Sequence, residues 1–467
     1  MKIALLIPGS GDNFYCENCY RDSALYQALR KAGEEALAIP LYLPPQLEHH
    51  NAGQFHEIFF GGINVYLQQK YKLFRRTPRW LDRLLDSPRL LGWVAKKAGM
   101  TDAVTLAQTT LSMLKGAHGH QVKELERLID WLAEQEKPDV ICLSNYLLAG
   151  LAGQIRARLR VPVACFLQDE DEFLDELPEP YRAEAWQLLR DYVPQIDLFI
   201  APSQFYAEAM TRRLNIPPAK MAVVYNGIDP EKYQKAKEKT GDWRLEAGDK
   251  KLGQDALATE MRRQDARDMD LGQDAQATKV PAIGYLSRMS APKGLDLLAE
   301  AFIQLKQQPG QERLELHIDG GMTALDAPFV NQVRGRLTQA GVINQVKFTH
   351  FKPQQRLEFL AAISVLSVPE RRASAGGFYV LEALARGVPV VQPDTGVFPE
   401  LKSRVGSGIT IFKAADVADL TRQLAAVLHN STRQEAQGPA LQNAVFQQFN
   451  VSRQAEGLVG LLQKLLK

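Results

Sequence analysis

Ala375-Gly376-Gly377-Phe378-Tyr379-Val380-Leu381-Glu382-Ala383-Leu384-Ala385-Arg386-Gly387-Val388-Pro389-Val390-Val391 holds one complete unit of fold grammar. Two glycines precede an apolar helical run over 378–386, Gly387 stops it, and a β-branched run follows at 388–391. A helix returned to a strand by so short a turn is the repeating unit of a parallel, doubly wound sheet. The diglycine turn also leaves backbone amides and the positive end of the helix facing outward, an arrangement that binds anions. Gly376, Gly377 and Phe378 are therefore candidate phosphate contacts. Glu382 stands just over one turn into the helix, where its carboxylate can accept two ribose hydroxyls.

The same grammar extends in both directions. In the C-terminal half, strands are expected at 282–286, 315–318, 346–349, 365–368, 388–391 and 409–412, with a further helix at 295–306. In the N-terminal half they are expected at 2–7, 36–41, 140–144, 162–167, 198–201 and 222–225, with helices at 23–32, 121–136 and 147–159. The chain closes on an amphipathic helix at 452–466. Between the halves, residues 235–278 are polar and charged. Leu-Gly-Gln-Asp-Ala-Leu-Ala-Thr at 252–259 recurs there as Leu-Gly-Gln-Asp-Ala-Gln-Ala-Thr at 271–278, which reads as a duplicated, solvated insertion. The expected organisation is an N-terminal Rossmann-like domain over 1–230 with a helical insertion near 65–120, a polar linker over 231–280, a second Rossmann-like domain over 281–448, and a last segment, 449–467, that packs back on the first domain. Two such domains place a cleft between the carboxyl ends of their sheets, where ligands bind in open α/β folds.

Two further turns face that cleft. Gly284-Tyr285-Leu286-Ser287-Arg288 closes one strand and Lys293-Gly294 opens the next helix, so a guanidinium and an ammonium project from a single loop. Arg288 can grip two phosphate oxygens and Lys293 can add a point charge, which makes this pair the expected catalytic and diphosphate-binding cations. Pro8-Gly9-Ser10-Gly11-Asp12 ends the first strand, and the amides of Gly9 and Gly11 are candidates for the opposite side of the same ligand. This turn lacks the GxGxxG spacing and the later acidic residue of a dinucleotide site, which argues against a nicotinamide-dependent dehydrogenase.

The chain has 467 residues, 45% of them hydrophobic, enough for two or three cored domains. Its formal charge of +2 does not suit a nucleic-acid partner. Four cysteines, Cys16, Cys19, Cys142 and Cys165, are too few for a disulfide framework and fit a reducing, cytoplasmic setting. No apolar run is long enough to span a bilayer.

Taken together, these elements resemble the retaining glycosyltransferases of family 4, of the group 1 kind found in bacteria, which have the GT-B fold. The resemblance covers most of the chain outside 235–279 and is densest between Pro281 and Glu400. Asn226-Gly227-Ile228-Asp229 is similar to the family's NGID, and Arg288 with Lys293 to the cations of its GRLxxxKG element. Glu382-Ala383-Leu384-Ala385 with Gly387-Val388-Pro389-Val390 is similar to its EAMAxGxPVV core, and Gly396 with Glu400 to its GGxxE segment. Residues 348–352, with Phe351 and Lys352, resemble the loop that faces the nucleobase, and Phe449-Asn450-Val451 the entry to the crossing helix. The resemblance implies sugar transfer with retention from a UDP- or GDP-sugar to a sugar, lipid-linked or small-molecule acceptor. It implies no cofactor and no metal. Two departures stand out: Ser374 where the family has the first glutamate of Glu-x7-Glu, and Gln168 where a histidine often lies. They leave open an alternative, a nucleotide-sugar-binding protein without turnover or with impaired turnover.

Three other constellations are open at this stage. Asp169-Glu170-Asp171 is an acidic triplet of the kind that holds a divalent ion with a diphosphate, or else an acidic loop entering the acceptor cleft. Cys16-Glu17-Asn18-Cys19 can be a redox pair or half a zinc site, or take a structural or acceptor-loop role, which is the favoured reading. Residues 70–97 carry nine basic and two acidic side chains with Trp80 and Trp93. That stretch is a candidate for peripheral contact with anionic membrane, or a solvated face.

Overall fold

The computed structural model describes residues 1–8, 15–41, 103–238, 280–349 and 352–467. The candidate contacts Gly9, Gly11 and Phe351, the basic stretch 70–97, and the duplicated insertion from 239 onward lie outside them.

Two parallel sheets carry the two lobes. In the N-terminal lobe the strands are β1 (Lys2–Ile7), β2 (Glu35–Pro40), β3 (Val140–Leu143), β4 (Val163–Phe166), β5 (Leu198–Ala201) and β6 (Met221–Val223), in the spatial order β2-β1-β3-β4-β5-β6. In the C-terminal lobe they are β7 (Ala282–Leu286), β8 (Glu315–Asp319), β9 (Val346–Phe348), β10 (Val365–Leu366), β11 (Val390–Pro393) and β12 (Ile409–Phe412), in the order β12-β11-β10-β7-β8-β9. Every pairing is parallel. In both sheets the chain starts inside, works to one edge, and returns to the other side of its first strand, which opens a crevice where the order reverses.

The first sheet shows why its strands read as nearly continuous apolar runs. Ala4, Leu6, Ile141, Leu143, Cys165 and Phe199 point into one buried layer, whereas Ile3, Leu5, Val140, Cys142, Ala164 and Ile200 point into the other. Successive side chains alternate between faces, and both faces are covered by helices. The second layer is completed by the last helix, Val451–Leu465, which lays Val451, Ala455, Leu458 and Leu462 against it. The chain therefore ends on the lobe in which it began.

That crossing depends on a close backbone approach. Ile228 donates to the Phe449 carbonyl at 2.8 Å, and Val451 donates back to Ile228 at 3.0 Å. The Gly227 amide donates to Gln454 Oε1 at 2.9 Å. A Cβ on Gly227 would lie 2.5 Å from the Val451 backbone, so only glycine lets the two segments meet here. Gly227→Ala is expected to cost about 1–3 kcal/mol through this overpacking. A lowered denaturation midpoint, with earlier proteolysis before the last helix, is the measurable outcome.

Candidate functional site

The loops at the carboxyl ends of β1, β4, β7 and β10 converge between the lobes. Lys293 is at the centre. It belongs to the turn between β7 and the Leu295–Lys306 helix, and the next residue, Gly294, has φ +68° with a would-be Cβ 2.0 Å from the Pro369 carbonyl oxygen. This tight turn tucks the lysine inward until only 9% of its surface is exposed. Its Nζ lies 2.8 Å from Glu370 Oε2 and 2.9 Å from Glu172 Oε2, one carboxylate from each lobe. Burial alone would discharge the ammonium. Glu172, Glu370, Asp169 and Glu17 outweigh it and hold Lys293 well above the ordinary lysine range.

The diglycine helix faces the same space. Its first residue, Phe378, donates its amide to Glu17 Oε2 at 2.6 Å. The helix N-terminus thus holds a carboxyl oxygen in this structure, supplied by the other lobe. Burial pushes the Glu17 carboxyl up to about 8, with Lys293 opposing the rise and Glu370 and Glu172 adding to it. Glu370 is fixed from its other side by the Tyr379 hydroxyl at 2.7 Å.

Glu382 is fully buried and already engaged. The Tyr15 hydroxyl donates to Oε2 at 2.5 Å, the Tyr233 hydroxyl to Oε1 at 2.6 Å, and Arg356 Nε lies 2.7 Å from Oε1. In place of the two ribose hydroxyls expected of a ligand, two phenolic hydroxyls occupy its oxygens. Burial and the facing carboxylate hold Tyr15 well above the ordinary tyrosine range, so it stays a donor. The Tyr15 amide donates to the Gly320 carbonyl at 2.7 Å. Tyr15 and Glu17 together therefore seat the segment after β1 on the C-terminal lobe.

Arg288 stands on the same turn as Lys293, but its side chain is 40% exposed and turned to Asp326, paired through Nε at 2.9 Å and Nη2 at 3.0 Å. Lys352 is exposed ahead of the Pro353–Gln355 turn. Ser374 is buried with its hydroxyl unpartnered among the described residues. Gln168 is buried and bonds the Ser144 carbonyl, beside Arg21 and Asp22.

The acidic triplet is used by the protein itself. Asp169, held in the left-handed region at φ +53°, accepts the Ala375 amide at 2.7 Å. Glu170 accepts the amides of Tyr146 and Gln168, each at 2.8 Å, and Asp171 the Tyr206 hydroxyl at 2.8 Å. Glu170 and Asp171 share the Tyr206 hydroxyl within the N-terminal lobe, while Asp169 reaches across to the other lobe. Glu400 bridges them as well: its carboxylate accepts the amides of Gln204 and Phe205, both at 3.0 Å, at the start of the Gln204–Leu214 helix.

Glu17, Tyr15 and Glu172 were not among the expected site residues. Glu17 lies inside the CxxC stretch and could have been singled out only by pairing β1 with the lobe opposite. Because Glu17 is protonated when docked and ionised in water, its docking is favoured below pH 4.5 and is lost as pH rises through about 8. A ligand that displaces Glu17 should release a proton between these limits. Titration calorimetry of a nucleotide diphosphate near pH 7 in buffers of different ionisation enthalpy should show that release, and Glu17→Gln should abolish it.

Comparison with known proteins bears on this geometry. Residues 104–232 match the model of Glycosyltransferase Family 4, and residues 268–443 that of Glycosyl transferases group 1. The lipopolysaccharide core biosynthesis mannosyltransferase LpsB of Rhizobium meliloti is 25% identical over 40% of this chain and 52% of its own length. A D-inositol 3-phosphate glycosyltransferase of Corynebacterium aurimucosum is 25% identical over 60% of this chain and 62% of its own. With a mannosylfructose-phosphate synthase of Agrobacterium fabrum, aligned over 24% of its length, the chain spans between a quarter and three fifths of these curated relatives. Among solved structures, sucrose-phosphate synthase from Thermosynechococcus elongatus superposes with a TM-score of 0.66 at 16% identity, covering 100% of this chain and 99% of that one. HepE from Anabaena, solved with UDP-glucose, gives 0.62 at 18% identity, covering 99% and 100%. The fold is the GT-B fold of glycosyltransferases.

Proposed function

We propose that this chain, a family 4 glycosyltransferase domain joined to a group 1 glycosyltransferase domain, transfers a sugar from a nucleotide diphosphate donor to an acceptor hydroxyl with retention at the anomeric carbon. One observation carries the reading: the Phe378 amide already grips a carboxylate oxygen in a pocket shared with the buried Lys293 ammonium. The Glu17 carboxyl oxygen there occupies the place proposed for a phosphate oxygen. Donor binding replaces Glu17 with a phosphate, and Lys293 keeps an anionic partner throughout.

In this reading the amides of Gly376, Gly377 and Phe378 and the Lys293 ammonium take the diphosphate, joined by Arg288 once it swings from Asp326. Gly9 and Gly11 contribute from the turn after β1. Phe351 and Lys352 border the nucleobase. Glu382 takes the ribose when Tyr15 withdraws. As the bond between the anomeric carbon and the phosphate oxygen breaks, negative charge grows on the leaving diphosphate. The same donors stabilise that charge, by about 3–4 kcal/mol each in a dry cleft. The acceptor oxygen bonds to the anomeric carbon on the face the phosphate leaves, and its proton passes to the leaving phosphate. No protein nucleophile and no metal is assigned a step.

The donor is a UDP- or GDP-sugar. HepE has been solved in complex with UDP-glucose, and LpsB is a mannosyltransferase. The acceptor is a sugar, a lipid-linked saccharide or a small molecule, without nucleic acid. Among the described residues no helix is long and apolar enough to cross a membrane. We place the protein in the cytoplasm and propose, from the charge of residues 70–97 alone, a peripheral contact with anionic lipid.

Thermal-shift screening against UDP, GDP, ADP and their sugars tests the reading. At least one diphosphate should stabilise the protein, and Arg288→Ala and Lys293→Ala should each weaken that ligand by about ten- to a hundredfold, the worth of a charged hydrogen bond. Wild-type affinity in both variants would reject the assignment. Ser374 lies where the related enzymes carry a glutamate, so binding without turnover across a donor panel would favour the non-catalytic alternative.

A further inference from the structure

Cys16 and Cys19 take no part in the sugar-transfer chemistry, yet their arrangement is that of a reactive pair. Cys16 caps the Glu17–Lys31 helix from an extended backbone, at φ −118° and ψ 101°. Its Sγ accepts the Cys19 amide at 3.4 Å, and the two Sγ atoms are 2.9 Å apart. A covalent bond between them, at about 2.05 Å, needs only a small approach and leaves the helix as it is. Burial is unequal: Cys16 is partly exposed and Cys19 is buried at 6% exposure. Cys16, the more exposed of the two, is the sulfur that a disulfide in solution can reach first.

The other two cysteines make a built-in control. Cys142 on β3 and Cys165 on β4 are fully buried on opposite faces of the sheet, so they cannot bridge each other. Burial pushes the Cys142 thiol up to about 12 and Cys165 well above the ordinary thiol range. Both remain protonated and inert.

We propose that Cys16 and Cys19 form a redox-active dithiol, with Cys16 as the attacking and Cys19 as the resolving sulfur. The co-reactant is a low-molecular-weight disulfide of the glutathione class. The Cys16 thiolate attacks one of its sulfurs, forms a mixed disulfide and expels one thiolate, which takes up a proton. Cys19 then gives up its proton and attacks Cys16 Sγ, expelling the second thiol. Two cysteine thiols and one disulfide become one protein disulfide and two small thiols, so atoms and electrons balance.

The pair is placed to report to the cleft. Tyr15 and Glu17, on either side of Cys16, are the residues that seat the segment on Glu382, Gly320 and Phe378. A cross-link at 16–19 holds this turn in its seated form and opposes displacement of Glu17. Oxidised protein should therefore bind the donor nucleotide several-fold more weakly than reduced protein. This consequence, unlike the thiol chemistry, rests on the donor-site reading above.

The test uses the full chain, equilibrated in glutathione buffers from reducing to oxidising, quenched in acid, alkylated and mapped by peptide mass spectrometry. Wild-type protein should lose two alkylatable thiols, both in the peptide that spans 16–19, retain no glutathione, and recover both with dithiothreitol. Cys19→Ser should trap one glutathione on Cys16, and Cys16→Ser should trap none. Four alkylated thiols in wild type at the oxidising end would overturn the proposal. So would a glutathione adduct on Cys16 as abundant in wild type as in Cys19→Ser. UDP titration of the two redox forms then separates the claims, since equal affinity with the disulfide formed rejects only the coupling to the donor site.

Discussion

A single ammonium, Lys293, lies among carboxylates that would repel one another without it. Glu17, Asp169 and Glu172 come from the N-terminal lobe and Glu370 from the C-terminal lobe. Removing charges from water costs several kcal/mol each, recovered only when partners are close and remaining oxygens are hydrogen-bonded. The structure meets both conditions: Glu370 has Tyr379, Glu17 has the Phe378 amide, and Asp169 has the Ala375 amide. Because each amide donor belongs to the C-terminal lobe and each of its acceptors to the N-terminal lobe, closure of the cleft and satisfaction of these charges are the same event. Burial pushes Glu17 up, and the neighbouring Glu370 and Glu172 add to the rise.

The interface is stitched away from this centre as well. Glu400 supplies the hydrogen-bond acceptors that the Gln204–Leu214 helix lacks at its start, in addition to the helix's own cap, Ser203. A helix end leaves amide groups without partners inside its own segment, so a carboxylate lent by the opposite lobe stabilises both helix and junction. Tyr15 and Tyr20 belong to the apolar core of the C-terminal lobe, while Ala375 belongs to a core layer of the N-terminal one. Each lobe completes its packing with residues of the other, and the Val451–Leu465 helix closes the circuit.

What could be read beforehand follows from the range of the forces involved. Strands β1, β5, β7 and β12 begin and end where alternation and β-branching put them, as does the Leu295–Lys306 helix. These are local signals. The Glu17–Lys31 helix starts six residues before the expected Ser23 because Cys16 caps it, and a sulfur cap is a weaker sequence mark than Ser or Asp. Strand β11 starts at Val390 rather than 388 because Gly387 and Val388 are spent on the turn, their amides bonding Leu384 and Ala383. The 121–136 helix divides at Trp131 into an α and a π segment, a change in hydrogen-bond pattern to which apolar spacing is blind.

The site divides along the same line. Arg288, Lys293 and the diglycine mouth could be singled out as candidates because each belongs to a short motif at a strand's end. Their partners were not, because Glu17 precedes Phe378 by 361 residues and Tyr15 precedes Glu382 by 367. A polar residue inside an apolar helix, as Glu382 is, signals that something must satisfy it, but two ribose hydroxyls and two tyrosines present the same chemistry to a carboxylate. The helix sequence therefore states a demand for two hydroxyl donors and leaves their source open. In this structure the protein meets the demand itself, so any ligand that uses Glu382 has to exchange one set of hydroxyls for another of similar strength. Such an exchange is nearly balanced in hydrogen bonds, and in the proposed reading a diphosphate at Lys293 would tip it.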